Sequence, residues 1–139
     1  MNREILFKAK IKDNGEWVEG YMVKYPSGKV EIFKKCVEPP DVLLRCEVDP
    51  KTICEYTGLK DKNGKEIWEN DIISIHAYSY YEPEDDYFGV VKYCVKDACW
   101  ALKNNERFDE IICECFGSYT TEIINHGNIF DNLELLEVR

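Results

Sequence analysis

Glu55-Tyr56-Thr57-Gly58-Leu59-Lys60-Asp61-Lys62-Asn63-Gly64-Lys65-Glu66-Ile67-Trp68-Glu69-Asn70-Asp71-Ile72-Ile73 is the stretch whose reading decides the fold. Thr57-Gly58 opens a turn, Lys60 through Gly64 form a polar tip, and Ile67-Trp68 returns to an apolar interior. Glu69-Asn70-Asp71 then turns into a strand that starts at Ile72. Asn63-Gly64 supplies residues that tolerate positive φ, which tight hairpin turns demand because their backbone must match the twist of the flanking strands. Such a β-turn-β unit must also be in register, since a slip of one residue sends every apolar side chain to the wrong face. Tyr56, Thr57, Gly58, Leu59, Asp61, Asn63, Gly64, Ile67, Asp71 and Ile72 are therefore read as structural residues. Lys60, Lys62 and Lys65 alternate with Asp61 and Glu66, which largely cancels any field able to attract phosphate.

Toward the N-terminus the chain alternates with a period of two. Ile5, Phe7, Ala9 and Ile11 fall on one face, and Glu4, Lys8, Lys10 and Lys12 on the other. Asp13-Asn14-Gly15 is a hairpin turn, and the strand after it, residues 16–25, sets Trp17, Tyr21, Val23 and Tyr25 on one face. Pro26-Ser27-Gly28 turns again into a third strand marked by Val30 and Ile32. Pro39-Pro40 and Asp49-Pro50 then interrupt the pattern, so residues 36–51 read as a connection with one short strand at 42–46. The expected organisation is a meander and connection over 1–51, followed by a second part over 52–139.

Toward the C-terminus, strands are expected at 71–78, 89–95, 99–103 and 111–116. An aromatic and acidic loop, Tyr80-Tyr81-Glu82-Pro83-Glu84-Asp85-Asp86-Tyr87, separates the first two, and the polar segment 104–110 separates the last two. Residues 119–139 fit either short strands or one short helix at 130–136. No longer helical periodicity is present. The pattern is mainly β, with the strand spacing of a small barrel or sandwich.

The composition agrees: the 139 residues are 45% hydrophobic and 32% charged, with 8 Gly and 5 Pro, which excludes a disordered or fibrous chain. No apolar run approaches the length of a membrane span, and Met1-Asn2-Arg3-Glu4 does not open a secretion signal. Seven cysteines at irregular spacing therefore read as thiols in a reducing, cytoplasmic setting. Residues 1–55 carry ten basic and ten acidic side chains, so the net charge of −9 lies wholly in residues 56–139. A field of that sign repels nucleic-acid backbones from the second part.

The quoted stretch resembles the signature of the YopX family, Y-T-G-L-K-D-K-N-G-K-x-I followed by an aromatic residue and E-G-D-I. The opening Arg3-Glu4-Ile5-Leu6-Phe7-Lys8-Ala9-Lys10, Asn14-Gly15-Glu16-Trp17-Val18-Glu19-Gly20 and Val48-Asp49-Pro50-Lys51-Thr52 are similar to that family as well. So is Gly127-Asn128-Ile129-Phe130-Asp131-Asn132-Leu133-Glu134-Leu135-Leu136. Asn70 stands where the family has glycine, and Asn is the side chain that best tolerates the left-handed region. Leu133 stands where the family has proline, and the loop at 78–87 matches no family pattern. The resemblance implies a phage or prophage lineage in Gram-positive bacteria and a predominantly β fold with an SH3-like barrel portion, placed in residues 52–139. It implies no catalytic residue.

Among chemical constellations, Cys94, Cys99, Cys113 and Cys115 lack the paired spacing of a zinc knuckle and read as buried thiols, as do Cys36, Cys46 and Cys54. The two histidines, His76 on a strand and His126 in the polar turn Asn125-His126-Gly127-Asn128, read as satisfied or solvent-facing groups. No catalytic residue, metal site or cofactor is expected. The acidic run Glu82 to Asp86 lacks the glycine and ligand alternation of a calcium loop. With Tyr78, Tyr80, Tyr81 and Tyr87, however, it has the composition by which SH3-type domains grip proline-rich peptides flanked by arginine.

The expected function is that of a non-enzymatic accessory protein acting through protein contacts, as a homo-oligomer or with a host or phage partner. Trp17, Tyr21, Tyr78, Tyr80, Tyr81 and Tyr87 are its candidate surface. One alternative is a single-strand nucleic-acid module on the aromatic and lysine faces of residues 1–35. Another is an acidic DNA mimic using Glu84, Asp85, Asp86, Asp109 and Glu110. No membrane contact is expected.

Overall fold

A computed structural model of the chain describes residues 4–35, 44–77, 85–96, 98–104, 107–111 and 121–137. It is mainly β, with two antiparallel sheets and one short helix among the described residues. The chain divides after Gly58 into two compact units, each with its own hydrophobic cluster.

The first unit contains β1 (Phe7–Lys10), β2 (Trp17–Lys24), β3 (Val30–Lys34), β4 (Arg45–Val48), a 3-10 turn (Pro50–Thr52) and the start of β5 (Cys54–Lys60). The strands lie in the order β4-β3-β2-β1-β5. Gly15 and Gly28 have φ of 74° and 94°, the left-handed values that the two meander turns require. The sheet curls until its fourth strand meets its first: Val48 bridges Ile11, Lys12 N donates to Glu47 O at 3.0 Å, and Asp49 N donates to Lys10 O at 2.9 Å. Thr52 reinforces the closure, accepting from Lys10 N at 2.8 Å while its hydroxyl donates to Asp49 O.

Inside lie Ala9, Val18, Val30, Ile32 and Val48, with Phe7, Ile11, Met22, Cys46 and Ile53 against them. Full burial of one such branched aliphatic chain is worth about 1.5–3 kcal/mol, which makes this closed layer the source of the unit's stability. The expected face of the first strand is found at Phe7, Ala9 and Ile11, but Ile5 is exposed and its neighbour Leu6 is fully buried. Ile5 and Leu6 precede β1, so ladder pairing does not impose the alternation on them. Of the short strand expected at 42–46, only Arg45 and Cys46 fall in β4, which runs on to Val48; residues 42–43 and Pro39-Pro40 lie outside the described residues.

The second unit begins where β5 continues beside β6 (Glu66–Trp68). It adds β7 (Asp71–Ala77), β8 (Asp85–Cys94), β9 (Cys99–Asn104), β10 (Arg107–Ile111), β11 (Thr121–Asn128) and α1 (Glu134–Glu137). Five of these strands form a sheet in the order β10-β9-β8-β7-β11. Its cluster is Ile67, Ile73, Ile75, Val91, Trp100, Leu102 and Ile123, with Leu59 and Tyr87 packed against them.

Four expectations are corrected here. Thr57-Gly58 does not open a turn but lies inside β5, where Gly58 has a φ of 85°. The aromatic and acidic segment is not a loop through Tyr87, because β8 already starts at Asp85 and pairs Tyr87 with Ile75. The polar segment 104–110 is not merely a connection, since Arg107–Ile111 forms β10. Among the described strands β10 is the outermost of its sheet, a position that tolerates charged residues. Asn125 to Asn128 is not a turn but the end of β11, with a bulge between Asn125 and Gly127. Both alternatives for the C-terminal stretch occur, strand at Ile123-Ile124 and a single helical turn at Leu135-Leu136. Residues 112–116, the rest of an expected strand, lie outside the described residues.

Candidate functional site

The motif residues that the sequence marks as structural converge on one buried polar network. Asp61, at the hairpin tip, accepts from Asn63 N and Lys65 N through Oδ1, both at 2.9 Å, and from Asn125 N through Oδ2 at 3.0 Å. Burial pushes the Asp61 carboxyl up, but these three backbone donors and the Lys65 charge outweigh it and hold the group below the usual carboxylate range. Lys62 N donates to Ile123 O at 3.0 Å, so the tip is fastened to β11 twice. At the other end of the hairpin, Asp71 Oδ2 accepts from Trp68 N at 2.8 Å and from Asn125 Nδ2 at 2.7 Å. Asn125 Nδ2 also donates to Glu66 O at 3.0 Å, and its Oδ1 accepts from Gly127 N at 3.0 Å.

A second knot lies beside it. Asn70 has φ of 73°, as a residue in the glycine position of a tight turn must, and its backbone N–H donates to Val91 O at 2.8 Å. Ile129 N donates to Asn70 O at 3.1 Å, and Lys92 Nζ bonds Asn70 Oδ1. Asn128 Oδ1 accepts from Phe130 N and Asp131 N, each at 2.9 Å, while Asn132 Oδ1 accepts from Asn128 N at 3.2 Å. The side chain of Asn132 thus organises the turn that the family's proline would stiffen, and it presses against Gly127, where any Cβ would collide with it. The network neutralises buried polar groups, which is a structural task.

On β2 of the first unit, Trp17, Glu19, Tyr21 and Val23 face away from the core, and Tyr21, 57% exposed, stands opposite Phe33 of β3. Trp17 is covered by the ammonium groups of Lys8 and Lys10, 4.9 and 5.4 Å from the ring centroid. Around this row the charges are paired: Lys35 with Glu19 at 3.2 Å, Arg45 with Glu31 at 3.4 Å and Lys12 with Glu47 at 3.3 Å. Tyr25 Oη donates to Glu31 Oε1 at 2.6 Å. That hydrogen bond raises the Tyr25 phenol above its ordinary pKa, burial and the Glu31 charge add to the shift, and Arg45 opposes it. The result is an aromatic strip framed by satisfied ion pairs.

A family model described as YopX protein matches residues 6–137, both units included. The chain belongs to the YopX family. No curated protein matches it.

In this YopX chain the other candidate residues scatter. Tyr87 is half-buried against the core of the second unit, and Tyr78, Tyr80 and Tyr81 lie outside the described residues, as do Glu82, Pro83 and Glu84. Asp85 and Asp86 belong to β8, Asp109 and Glu110 to β10. Cys54 and Cys94 are buried as expected, Cys46 and Cys99 are only half-buried, and none of the four is in a disulfide; Cys36, Cys113 and Cys115 lie outside the described residues. Among the described residues no three His, Cys, Asp or Glu side chains form a group able to hold a metal ion. No described helix is long and apolar enough to cross a membrane.

One juxtaposition was not legible in the sequence of this YopX protein. Ser74 Oγ and His126 Nε2 are hydrogen-bonded at 2.8 Å although 52 positions apart, because β7 and β11 pair and the bulge turns His126 toward Ser74. Ser74, but not His126, lines a groove of about 270 Å³ together with His76, Tyr87, Phe88, Glu122 and Ile124. A serine nucleophile needs its imidazole oriented by a third group. Among the described contacts, His126 has beyond Ser74 only the tilted Phe88 ring, at 6.3 Å, and Glu122 is engaged by Lys62 at 3.6 Å. Paired apolar alternation on two distant segments does not announce such a contact, because it depends on which strands become neighbours.

Proposed function

We propose that this YopX-family chain is a non-enzymatic accessory protein of phage or prophage origin, working in the host cytoplasm through protein contacts, with a second copy of itself as the first partner. The observation that carries this reading is the strip of Tyr21, 57% exposed, with Val23 and Trp17 on the outward face of β2. Aromatic side chains that lose little entropy on binding and offer large amphipathic area are the usual anchors of protein interfaces. The paired charges beside them resemble the polar rim that surrounds such anchors.

The test is sedimentation velocity over a wide concentration range. A mass that rises with concentration, and that returns to the monomer in Tyr21→Lys without a change in unfolding midpoint, is the expected result. A monomer at every concentration overturns self-association.

The two lysines over Trp17 favour one second reading, a stacking platform for single-stranded nucleic acid. Titration of labelled DNA and RNA at low salt decides it, since this term weakens steeply with ionic strength. Flat isotherms for both remove it.

A further inference from the structure

We propose that Cys94 and Cys99 form a redox-responsive dithiol that closes to a disulfide across the β8–β9 hairpin when the protein meets a small disulfide oxidant of the glutathione class. The two residues are direct cross-strand partners in the last pair of the ladder before the turn. Residues directly opposite each other in an antiparallel pair have Cα atoms about 4.5–5.5 Å apart. That range lies inside the roughly 4.4–6.8 Å over which a disulfide forms without backbone movement. Ala98 N donates to Val95 O at 3.3 Å and closes the connection, so the hairpin holds both residues at that separation before any oxidation. Their ring neighbours stiffen the same end: Tyr93 and Trp100, the next cross-strand pair, meet edge to face with centroids 5.3 Å apart.

The two thiols differ in access, which assigns an order to the chemistry. Cys99 is half-buried, Cys94 is 6% exposed, and Val95 at the turn is 84% exposed, so an oxidant approaches from the turn and reaches Cys99 first. The Cys99 thiolate attacks one sulfur of the small disulfide, forming a mixed disulfide and expelling one thiolate. Cys94, held opposite and shielded from bulk reagent, loses its proton to solvent and attacks the Cys99 sulfur, expelling the second thiolate. Two thiol hydrogens and two electrons leave the protein, one S–S bond forms within it, and the oxidant is reduced to two thiols. This inference is independent of the contact surface proposed above.

Peptide mapping tests it. Native reduced protein is incubated with oxidised glutathione and then denatured, the remaining thiols are alkylated, and the protein is digested with trypsin, which cuts after Lys92, Lys96 and Lys103. The expected product is a reducible cross-link between the peptides Tyr93-Cys94-Val95-Lys96 and Asp97-Ala98-Cys99-Trp100-Ala101-Leu102-Lys103. Cys94→Ser should instead accumulate glutathione on Cys99, and Cys99→Ser should leave Cys94 open to alkylation. A wild-type map in which both peptides are alkylated, in which Cys99 retains glutathione, or in which either cysteine is joined to another thiol overturns the proposal. If a serine variant does not fold, the wild-type map alone decides.

Discussion

Asn125 donates its side-chain amide to Asp71 Oδ2 at 2.7 Å across 54 positions of sequence, and the same carboxylate oxygen accepts the backbone N–H of Trp68. A single buried acceptor thereby joins the end of the β6 hairpin to the last strand of the sheet. Asp71 and Asn125 are only 3% and 9% exposed, so water does not replace either partner cheaply.

Asp71→Ala should be among the most destabilising polar substitutions in the second unit. It orphans two donors, each costing about 1–3 kcal/mol when left unsatisfied. Urea unfolding should show a lower midpoint with an unchanged slope, and Asp71→Asn, which keeps one acceptor, should lose less. A change in Asp71→Ala below about 0.5 kcal/mol, the range of ordinary surface substitutions, would show that the network carries no weight.

The depressed pKa of Asp61 has a defined sign. Folding favours its charged form, so its contribution is present above the ordinary carboxylate pKa of about 3.9 and is lost as pH falls through the lower folded value. Stability should therefore decline in that acid window, and the decline should be shallower in Asp61→Asn. Identical acid profiles of the two proteins would contradict the assignment.

Asn70 sits at φ 73°. Asn tolerates this region better than other side chains with a Cβ, so Asn70→Ala should lose that local tolerance together with the contact to Lys92, about 1 kcal/mol in all. Asn70→Gly removes the steric cost and only loses the contact with Lys92, and should be the milder variant by thermal unfolding.

Gly20 lies against the carbonyl of Phe33 on the neighbouring strand, with no room for a Cβ. Gly20→Ala must push β2 and β3 apart, at a cost of about 1–3 kcal/mol. Thermal melts should show this loss, while Gly15→Ala, whose Cβ meets no atom, incurs only the left-handed backbone term.

Much of the fold was legible because its causes are short-ranged. Alternation along β1 to β3 and at Ile73 and Ile75 follows from the two-residue period of a strand, and each has its inward set in a hydrophobic cluster. The turns at Gly15, Gly28, Gly64 and Asn70 have the positive φ that their residue types announce, since steric tolerance belongs to the residue itself. The family signature likewise reads as a tight hairpin, which is what Asp61, Asn63 and Lys65 build.

Local chemistry thus determined the strand content, the bends and the outward aromatic face carrying Trp17 and Tyr21. Tertiary pairing alone decided that Asn125 meets Asp71, that His126 meets Ser74, and that β4 returns to β1 at Val48 and Ile11. It also decided that the polar residues 107–111 become a strand instead of a connection. The physical reason is that a strand's partners are chosen by burial and register over distances at which residue preferences carry no information.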